Sequence, residues 1–329
     1  MFLLLRLYLN IGGSYNFVWV VNMTEIRKKD LEKQGYRLVG NHSGIKVCLW
    51  CKKAIRGEDT CYKHKFYGIN SWRCIQASVT QDICTLNCDW CWRDVSKTKV
   101  NFGKTDKPKE ILDGFIREQV LYLQGFKGNK DVDKRRLGES LKPKHVALSL
   151  TGETCLYSKL PEMVEEIKNR DMTSFIVTNG TVPEMIKKLI KVKPTQLYIT
   201  LPAPNKKVFM KVCKPINEKL WNKILESLSL LGEFDRGTVR LTLAKNANML
   251  DVEEYVNILK NVDFKFLETK AFMPVGFSKL PYEAMPRHEE IREFSEELAN
   301  GLGVKLVDEK KESRVCLLMK KDVGRKLKF

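Results

Sequence analysis

Three cysteines, Cys84, Cys88 and Cys91, crowd into the short stretch "VTQDICTLNCDWCWRD". Their C-x3-C-x2-C spacing fits neither a disulfide framework nor a zinc ribbon, which is built from C-x2-C pairs. Structural zinc usually takes four protein ligands, whereas three thiolates can hold a [4Fe–4S] cluster and leave one iron open. An open iron can bind a further ligand. The loop therefore predicts a reactive iron–sulfur site and not a plain electron carrier.

A second group of cysteines lies upstream, in "KVCLWCKKAIRGEDTCYKHKFYGINSWRC". Its members are Cys48, Cys51, Cys61 and Cys74. Two interpretations are open: the four thiolates bind a structural zinc ion, or three of them hold a second cluster with its own open iron. Clustered cysteines in a long, charged chain indicate metal binding in a reducing compartment, which predicts a cytoplasmic protein.

Short apolar strands alternate with amphipathic helices, starting with a strand just before the triple-cysteine loop. The strands are "ASVTQDI", "HVALSLTGE", "SFIVTNG", "QLYITLPAP", "TVRLTLAKN" and "FKFLETKAFMPV", and a helical pattern follows each. Right-handed crossovers turn six such units into a parallel sheet, doubly wound or barrel-like. We predict an α/β fold. Active sites of such barrels lie at the carboxyl ends of the strands, where "TGET" and "TNGT" are polar.

The chain divides into three segments. Residues 1–23 are interpreted as a hydrophobic leader, disordered or an over-extended start, because polar residues and glycines interrupt its apolar run. Residues 24–76 form the Cys-rich segment, and residues 77–329 the strand–helix domain with a C-terminal extension. No membrane partner is predicted. The formal net charge of +18 is spread along the chain, which favours a broad basic surface for a polyanion.

The loop resembles the signature of the radical S-adenosylmethionine (SAM) superfamily, C-x3-C-x-aromatic-C at the end of the first strand of a partial (β/α)6 TIM-type barrel. The resemblance implies that Cys84, Cys88 and Cys91 hold a [4Fe–4S] cluster and that SAM chelates its open iron. Reductive cleavage would then give a 5′-deoxyadenosyl radical, the cofactor's own chemistry. Trp90 would lie beside the adenine.

The polar strand ends carry the remaining implied SAM contacts. "TGET" resembles the superfamily's GGE-like element with threonine in place of the first glycine, which assigns Gly152 and Glu153 to the methionine amino group. Thr178 and Asn179, in "TNGT", are implied contacts of SAM or substrate. The alternative for each is an ordinary helix cap or turn.

A narrower resemblance covers the chain from about residue 30 onward. The upstream cysteines, "CYKHKFYGI" and the loop together are similar to the tRNA 4-demethylwyosine synthases, in their short archaeal form. This resemblance implies an auxiliary [4Fe–4S] cluster on Cys48, Cys61 and Cys74, which are thirteen residues apart, with Cys51 as a spare. It also implies a Schiff-base role for Lys63.

The family's reaction joins N1-methylguanosine, 3′ of the anticodon in tRNA-Phe, to a two-carbon unit from pyruvate and closes a third ring. Either the auxiliary cluster's open iron or Lys63 would hold pyruvate. We expect a monomer that takes electrons from a separate flavodoxin- or ferredoxin-like donor. The alternatives are a radical SAM enzyme with an N-terminal zinc site or another substrate, and a non-catalytic, zinc-stabilised RNA-binding module.

Several further residues are weaker candidates. Glu268 and Lys270 alternate with apolar neighbours on the sixth strand, so both are predicted to point into the barrel. The aromatic candidates for stacking on a splayed base, or for packing around the clusters, are Trp50, Tyr62, Trp72 and Trp92. Lone histidines are seldom ligands, so His64, His145 and His288 are interpreted as ordinary residues.

Overall fold

The computed structural model describes residues 25–98 and 104–329, so the predicted leader lies outside it. Within these residues one sheet of ten strands runs in the order β1-β2-β3-β4-β5-β6-β7-β8-β10-β9. The strands are β1 Arg37–Val39, β2 Ser43–Ile45, β3 Cys74–Ser78, β4 His145–Leu148, β5 Thr173–Thr178, β6 Gln196–Thr200, β7 Gly237–Leu243, β8 Phe266–Ala271, β9 Lys305–Lys310 and β10 Val315–Met319.

Eleven α-helices accompany the sheet in the described residues. They are α1 Glu25–Lys33, α2 Leu49–Ile55, α3 Tyr62–Tyr67, α4 Pro108–Gln124, α5 Lys134–Ser140, α6 Leu160–Asn169, α7 Pro183–Val192, α8 Lys206–Cys213, α9 Leu220–Ser229, α10 Val252–Leu259 and α11 His288–Leu302. Proline opens the first turn of α4, α6 and α7, where its missing N–H costs nothing. In the part of the chain that is described, no helix is long and apolar enough to span a bilayer.

Strands β3 to β8 pair in parallel, and each leads to a helix. The predicted six strand–helix units and partial barrel are therefore confirmed. Antiparallel strands extend both edges: β2 pairs with β3, and β10 pairs with β8. The Cys-rich segment supplies β1 and β2 and the C-terminal extension supplies β9 and β10, so both add backbone partners to strands that would otherwise be edges.

Side chains alternate between two apolar layers along each strand. On β7, Val239 and Leu241 belong to the large core between sheet and helices. Tyr198 on β6 and Phe266 on β8 belong to a separate cluster inside the barrel. A period of two residues produces this separation, because successive side chains point to opposite faces of the sheet. Arg240, which lies between Val239 and Leu241, therefore points inward with Glu268.

Helix α3 fills the inside of the barrel. Phe66 and Tyr67 are fully buried there, and the ring of Tyr67 packs edge-on to Phe266 with 5.0 Å between centroids. Gly68 ends the helix with a φ of 78°, a left-handed cap that glycine adopts without strain. The C-terminal residues close over this end, since the N–H of Leu327 donates to the carbonyl of Tyr67 at 2.9 Å.

A buried carboxylate ties α3 to the barrel wall. Glu268 is 0% exposed and accepts hydrogen bonds from the hydroxyls of Tyr67, at 2.5 Å, and Tyr62, at 3.2 Å. Arg240 donates to the same carboxylate from Nη2 at 2.8 Å and from Nε at 3.1 Å, and Nη2 also donates to the Tyr62 hydroxyl at 2.6 Å. The predicted inward orientation of Glu268 is observed.

We expect Glu268→Leu to destabilise the fold by about 3–5 kcal/mol, because it leaves the Arg240 guanidinium buried without its counter-charge. The double variant Arg240→Met/Glu268→Leu should cost less. Both variants remove the acceptor of the tyrosine hydroxyls. The difference between their free energies of unfolding therefore measures the cost of leaving the Arg240 guanidinium without a counter-charge. Denaturant unfolding of each protein measures these free energies.

The control is Glu218→Gln, which breaks an exposed ion pair to Lys206 and should leave the free energy of unfolding unchanged within error. Equal destabilisation of the single and double variants would contradict the assignment of a buried, obligatory ion pair.

Candidate active site

The triple-cysteine loop leaves the carboxyl end of β3 and is held by the segment around the end of α8. The N–H groups of Asn87 and Asp89 donate to the carbonyls of Cys213 and Val212, each at 2.9 Å. Leu86 forms an isolated antiparallel bridge with Pro215. These backbone contacts fix a loop that has no regular structure of its own.

Cys84, Cys88 and Cys91 line one cavity of about 180 Å³ at the carboxyl ends of the strands. The other predicted residues that contribute to its wall are Gly152, Glu153, Thr178 and Asn179. The structure thus brings together the three cysteines and four of the five predicted SAM contacts. Trp90 is the exception: it packs, partly buried, against the main core, while Trp92 lines the cavity and donates to the Leu150 carbonyl at 3.1 Å.

The donor set fits an iron–sulfur cluster. Burial raises the pKa of Cys84 to about 12, so its thiolate needs a strongly cationic partner such as iron. Three thiolates around one cavity match the ligand set of a [4Fe–4S] cluster that keeps one iron open.

Glu153 fixes the strand ends around this cavity. Its Oε1 accepts hydrogen bonds from the Thr178 hydroxyl at 2.5 Å and the Cys155 N–H at 2.8 Å, and its Oε2 accepts from the Asn179 N–H at 2.7 Å. Burial raises the pKa of Glu153, and these three donors oppose that shift. The Asn179 side-chain amide in turn donates to the sulfur of Cys84 at 3.7 Å.

Gly152 permits the close approach of two loops. It has a φ of 75°, and a Cβ atom on it would lie 1.9 Å from the Thr80 carbonyl oxygen and 2.7 Å from that of Ile83. The peptide of the next residue is bound at the same place, since the Glu153 N–H donates to the Ile83 carbonyl at 2.8 Å. The glycine of the "TGET" element is therefore required by sterics as well as by conformation.

Arg93 is a site residue that the sequence reading did not single out. It is 4% exposed and donates to the Leu86 carbonyl at 2.8 Å and to the Thr98 hydroxyl. Burial raises the pKa of Cys84 and Cys91, and a hydrogen bond with Cys213 together with burial raises that of Cys88. The Arg93 guanidinium acts in the opposite direction on all three. Arg93 lies two residues after the last cysteine, in "CWRD", and this proximity was the sequence signal that could have identified it.

A second cavity, of about 290 Å³, lies between the Cys-rich segment and the barrel interior. Cys48, Cys61 and Cys74 all line it. Cys48 and Cys61 are the residues before the first turns of α2 and α3, and neither side chain makes a capping hydrogen bond. Cys74 begins β3. Three different elements thus present their sulfurs to one space.

Cys51 lines the same cavity but is more deeply buried than these three. It is 1% exposed, its sulfur donates to the Trp72 carbonyl at 3.7 Å, and the Gln119 amide donates to it at 3.9 Å. Trp72 itself is buried, with Nε1 donating to Glu139 at 2.7 Å. Cys51 is therefore engaged by protein groups, and Trp72 is part of the core and not an exposed stacking surface.

Lys63 lies on α3 in the wall of the second cavity. Its Nζ is 5.1 Å from the ring centroid of Phe175 and 4.6 Å from that of Tyr198, inside the barrel. Burial lowers the pKa of Lys63, and the nearby Arg240 guanidinium lowers it further. Lys270 lines the same cavity. An amine held in this way is closer to its neutral, nucleophilic form than a surface lysine is.

The two cavities meet at one residue. Ser149, one step beyond β4, lines both of them. Ser149 thus separates the space next to Cys84 from the space next to Lys63 by the width of one residue.

Two family models match this chain. The radical SAM superfamily model matches residues 78–259, and the model for wyosine base formation matches residues 261–320. The S-adenosyl-L-methionine-dependent tRNA 4-demethylwyosine synthase of Pyrococcus abyssi is 42% identical over 92% of this chain and 91% of its own length. The chain belongs to the tRNA 4-demethylwyosine synthase family. Its resemblance to that family and to the radical SAM superfamily is thereby confirmed.

Other 4-demethylwyosine synthases and two solved structures agree with this membership. The Methanocaldococcus jannaschii synthase is 35% identical over 88% of this chain and 94% of its own length. The structure of TYW1 with a lysine-pyruvate adduct bound has a TM-score of 0.85 and 33% identity, covering 93% of this chain and 100% of that one. The crystal structure of archaeal TYW1 has a TM-score of 0.77 and 31% identity, covering 92% and 99%.

As a radical SAM enzyme of the 4-demethylwyosine synthase family, the chain uses SAM and a [4Fe–4S] cluster. The cavity of Cys84, Cys88 and Cys91 is the predicted place for both. The individual SAM contacts, including the adenine contact of Trp90, stay predictions.

We expect Gly152→Ala to lower the affinity for SAM at least about tenfold, or about 1.4 kcal/mol. The added Cβ meets backbone carbonyl oxygens that cannot move without displacing the cysteine loop. Anaerobic titration calorimetry of the cluster-loaded protein measures the affinity.

Gly180→Ala is the matched control. Gly180 has a φ of 76°, so alanine incurs the same left-handed penalty of about 1–2 kcal/mol, but its nearest neighbour is a methyl group of Ile199 at 3.0 Å. Equal loss of affinity in the two variants would mean that the loop contact of Gly152 does not shape the SAM site.

Proposed function

We propose that this 4-demethylwyosine synthase converts N1-methylguanosine in tRNA-Phe to 4-demethylwyosine, with pyruvate as the two-carbon donor. The observation that carries the proposal is Lys63, a buried lysine on a helix inside the barrel, in a cavity that shares Ser149 with the Cys84 site. A related structure with a lysine-pyruvate adduct supports this reading.

Lys63 is proposed to hold pyruvate as a Schiff base. Its neutral amine attacks the ketone carbon, the carbonyl oxygen leaves as water, and a C=N bond forms. Two basic residues on the cavity wall, Arg240 and Lys270, are available to the pyruvate carboxylate. Arg240 is already paired with Glu268. Burial lowers the pKa of Lys270, and a bound carboxylate would favour its charged form.

An auxiliary [4Fe–4S] cluster is proposed for Cys48, Cys61 and Cys74. Burial raises the pKa of Cys61 to about 11 and of Cys74 to about 12, so these thiols too need a cationic partner to ionise. Cys51 lines the same cavity, so a zinc site on four cysteines is the competing arrangement.

The cluster on Cys84, Cys88 and Cys91 and its SAM supply the one-electron chemistry that starts the reaction. The chain's part is to hold and shield the reactants. Glu153 orders Thr178 and Asn179 along the wall, and Asn179 donates to the Cys84 sulfur, a contact of the kind that tunes cluster potentials. Ser149 borders the space between SAM and pyruvate sites.

The RNA is proposed to bind at the carboxyl ends of the strands. Helix α8 follows β6 and carries the exposed lysines Lys206, Lys207 and Lys211, and Lys214 follows it. Lys214 is also paired with Asp89 of the cysteine loop. Phosphate contacts from this segment would position the anticodon loop, and the modified purine must be splayed from its stack to reach the cavity.

The proposal also covers the cellular location, the oligomeric state and the electron donor. We infer a cytoplasmic monomer that is reduced by a separate flavodoxin- or ferredoxin-like donor. The competing function is a radical SAM enzyme with an N-terminal zinc site, and the metal content of cysteine variants distinguishes the two.

Borohydride reduction with labelled pyruvate should trap an adduct on Lys63 in the wild-type protein. Lys63→Ala should abolish the adduct and lower the turnover at least about 100-fold, while Lys65→Ala should keep both. Lys65 lies on the same helix, is half exposed and pairs with Asp308. Peptide mass spectrometry locates the adduct. A trapped adduct that persists in Lys63→Ala would remove this lysine from the mechanism.

Anaerobic reconstitution should load about eight irons per chain, four in each of two clusters. Cys74→Ala should reduce this to about four irons, because the auxiliary cluster loses a ligand, and Cys51→Ala should retain about eight. Iron and zinc are counted in the same samples by mass spectrometry. About four irons and one zinc in the wild type, with zinc lost in Cys51→Ala, would favour the zinc site.

A further inference from the structure

A third group of metal-binding side chains lies on the outer face of the C-terminal extension, away from both cavities. Glu309 on β9 and Cys316 on β10 are direct partners in the antiparallel register, so their side chains lie on one face of the sheet. His288, the first residue of α11, covers that face. Each of the three residues offers one ligand atom, and these atoms all lie within 4.8 Å of one another.

The hydrogen bonds of this trio are incomplete. His288 Nε2 lies 3.1 Å from Glu309 Oε2. Its Nδ1 is buried and has no hydrogen-bond partner within residues 25–98 and 104–329, although the side chain is only 8% exposed. Nε2 is the nitrogen that faces Glu309, and a cation bound there would replace that hydrogen bond and leave the ring proton on Nδ1. Neutral imidazole is a common metal ligand.

The surroundings tolerate a cation. Arg292 Nη1 is 3.7 Å from Glu309 Oε1, but its side chain is half exposed and already donates from Nε to Glu296 at 3.0 Å. It can therefore give up Glu309 without losing all its partners. Cys316 is 0% exposed, which protects a metal-bound sulfur from oxidation.

We propose that His288, Glu309 and Cys316 form a zinc site with three protein ligands and one position left for water. One nitrogen, one oxygen and one sulfur donor suit Zn²⁺, which binds all three types. The hard ions Mg²⁺ and Ca²⁺ prefer oxygen ligands. This site is independent of the two cysteine cavities and of the proposed reaction.

Charge balance also favours a dication. A carboxylate and a thiolate supply two negative charges and a neutral imidazole supplies none, so bound Zn²⁺ makes the site neutral. Zinc binding to the Cys316 thiol displaces one proton from its sulfur to solvent.

The position suggests a structural role. Zinc would fasten the β9–β10 hairpin to the first turn of α11. Strand β9 also contacts α3, because Lys65 Nζ donates to the Glu309 carbonyl at 2.5 Å. The proposed zinc site would therefore stabilise β9, the strand that α3 contacts.

The test uses the full chain with its iron reconstituted, given one equivalent of Zn²⁺ and then desalted. We expect about one zinc per chain. Its X-ray absorption spectrum should show one sulfur at about 2.3 Å and two or three nitrogen or oxygen atoms at about 2.0–2.2 Å. Zinc should also raise the melting temperature.

Each of Cys316→Ser, Glu309→Gln and His288→Ala should lower zinc affinity more than about 100-fold, since losing outer-shell partners alone costs about 10- to 100-fold. Glu296→Gln on the exposed face of α11 should bind zinc as the wild type does. An unchanged iron content shows that each variant has folded.

Three outcomes would overturn the proposal. They are less than about one tenth of a zinc per chain in the wild type, a zinc shell made of sulfur alone, and zinc that is retained in both Cys316→Ser and Glu309→Gln. A sulfur-only shell would mean that zinc occupies the cluster cysteines instead.

Discussion

The carboxylate of Glu268 is buried inside the barrel, and the position of Lys63 depends on it. An ionised carboxylate is tolerated in a protein interior only when other groups satisfy it. Here the satisfying groups are the Arg240 guanidinium and the hydroxyls of Tyr62 and Tyr67. Both tyrosines belong to α3, so the helix cannot slide or rotate without losing its two hydrogen bonds to this carboxylate. Lys63 follows Tyr62 directly and is therefore held at one depth, over the rings of Phe175 and Tyr198.

The sheet sets the relation between the two cavities. Parallel strands bring all their carboxyl ends to one side, where the cysteine loop and the polar strand ends meet. The inward-pointing residues of the same strands face the barrel interior, which α3 and its neighbouring cysteines fill from the other side. Ser149 lines the cavity of each set of residues. A fold with helices on both faces of an open sheet would have no interior in which to seat the lysine.

The fold and the cysteine sites could be predicted to a large extent because their signals are local. Buried parallel strands appear as continuous apolar runs, and the cysteine motif is specific on its own. Helix α3 could not be predicted as a plug, because six residues carry too little periodicity and its position depends on Glu268 about two hundred residues later. Strands β1 and β2, of three residues each, form only against an existing edge. Arg240 could have been found by the alternation that flagged Glu268.

Glu153 shows why a motif match alone does not assign a role. The carboxylate has about four acceptor positions. Thr178, Asn179 and the Cys155 N–H occupy three of them, two on Oε1 and one on Oε2. The Cys155 side chain also hydrogen-bonds to this carboxylate, so the protein itself can fill the fourth position. Glu153 is therefore a structural anchor, and its contact with SAM stays a prediction. Because Asn179 also donates to the Cys84 sulfur, the same carboxylate orders a predicted cluster ligand and the wall of its cavity.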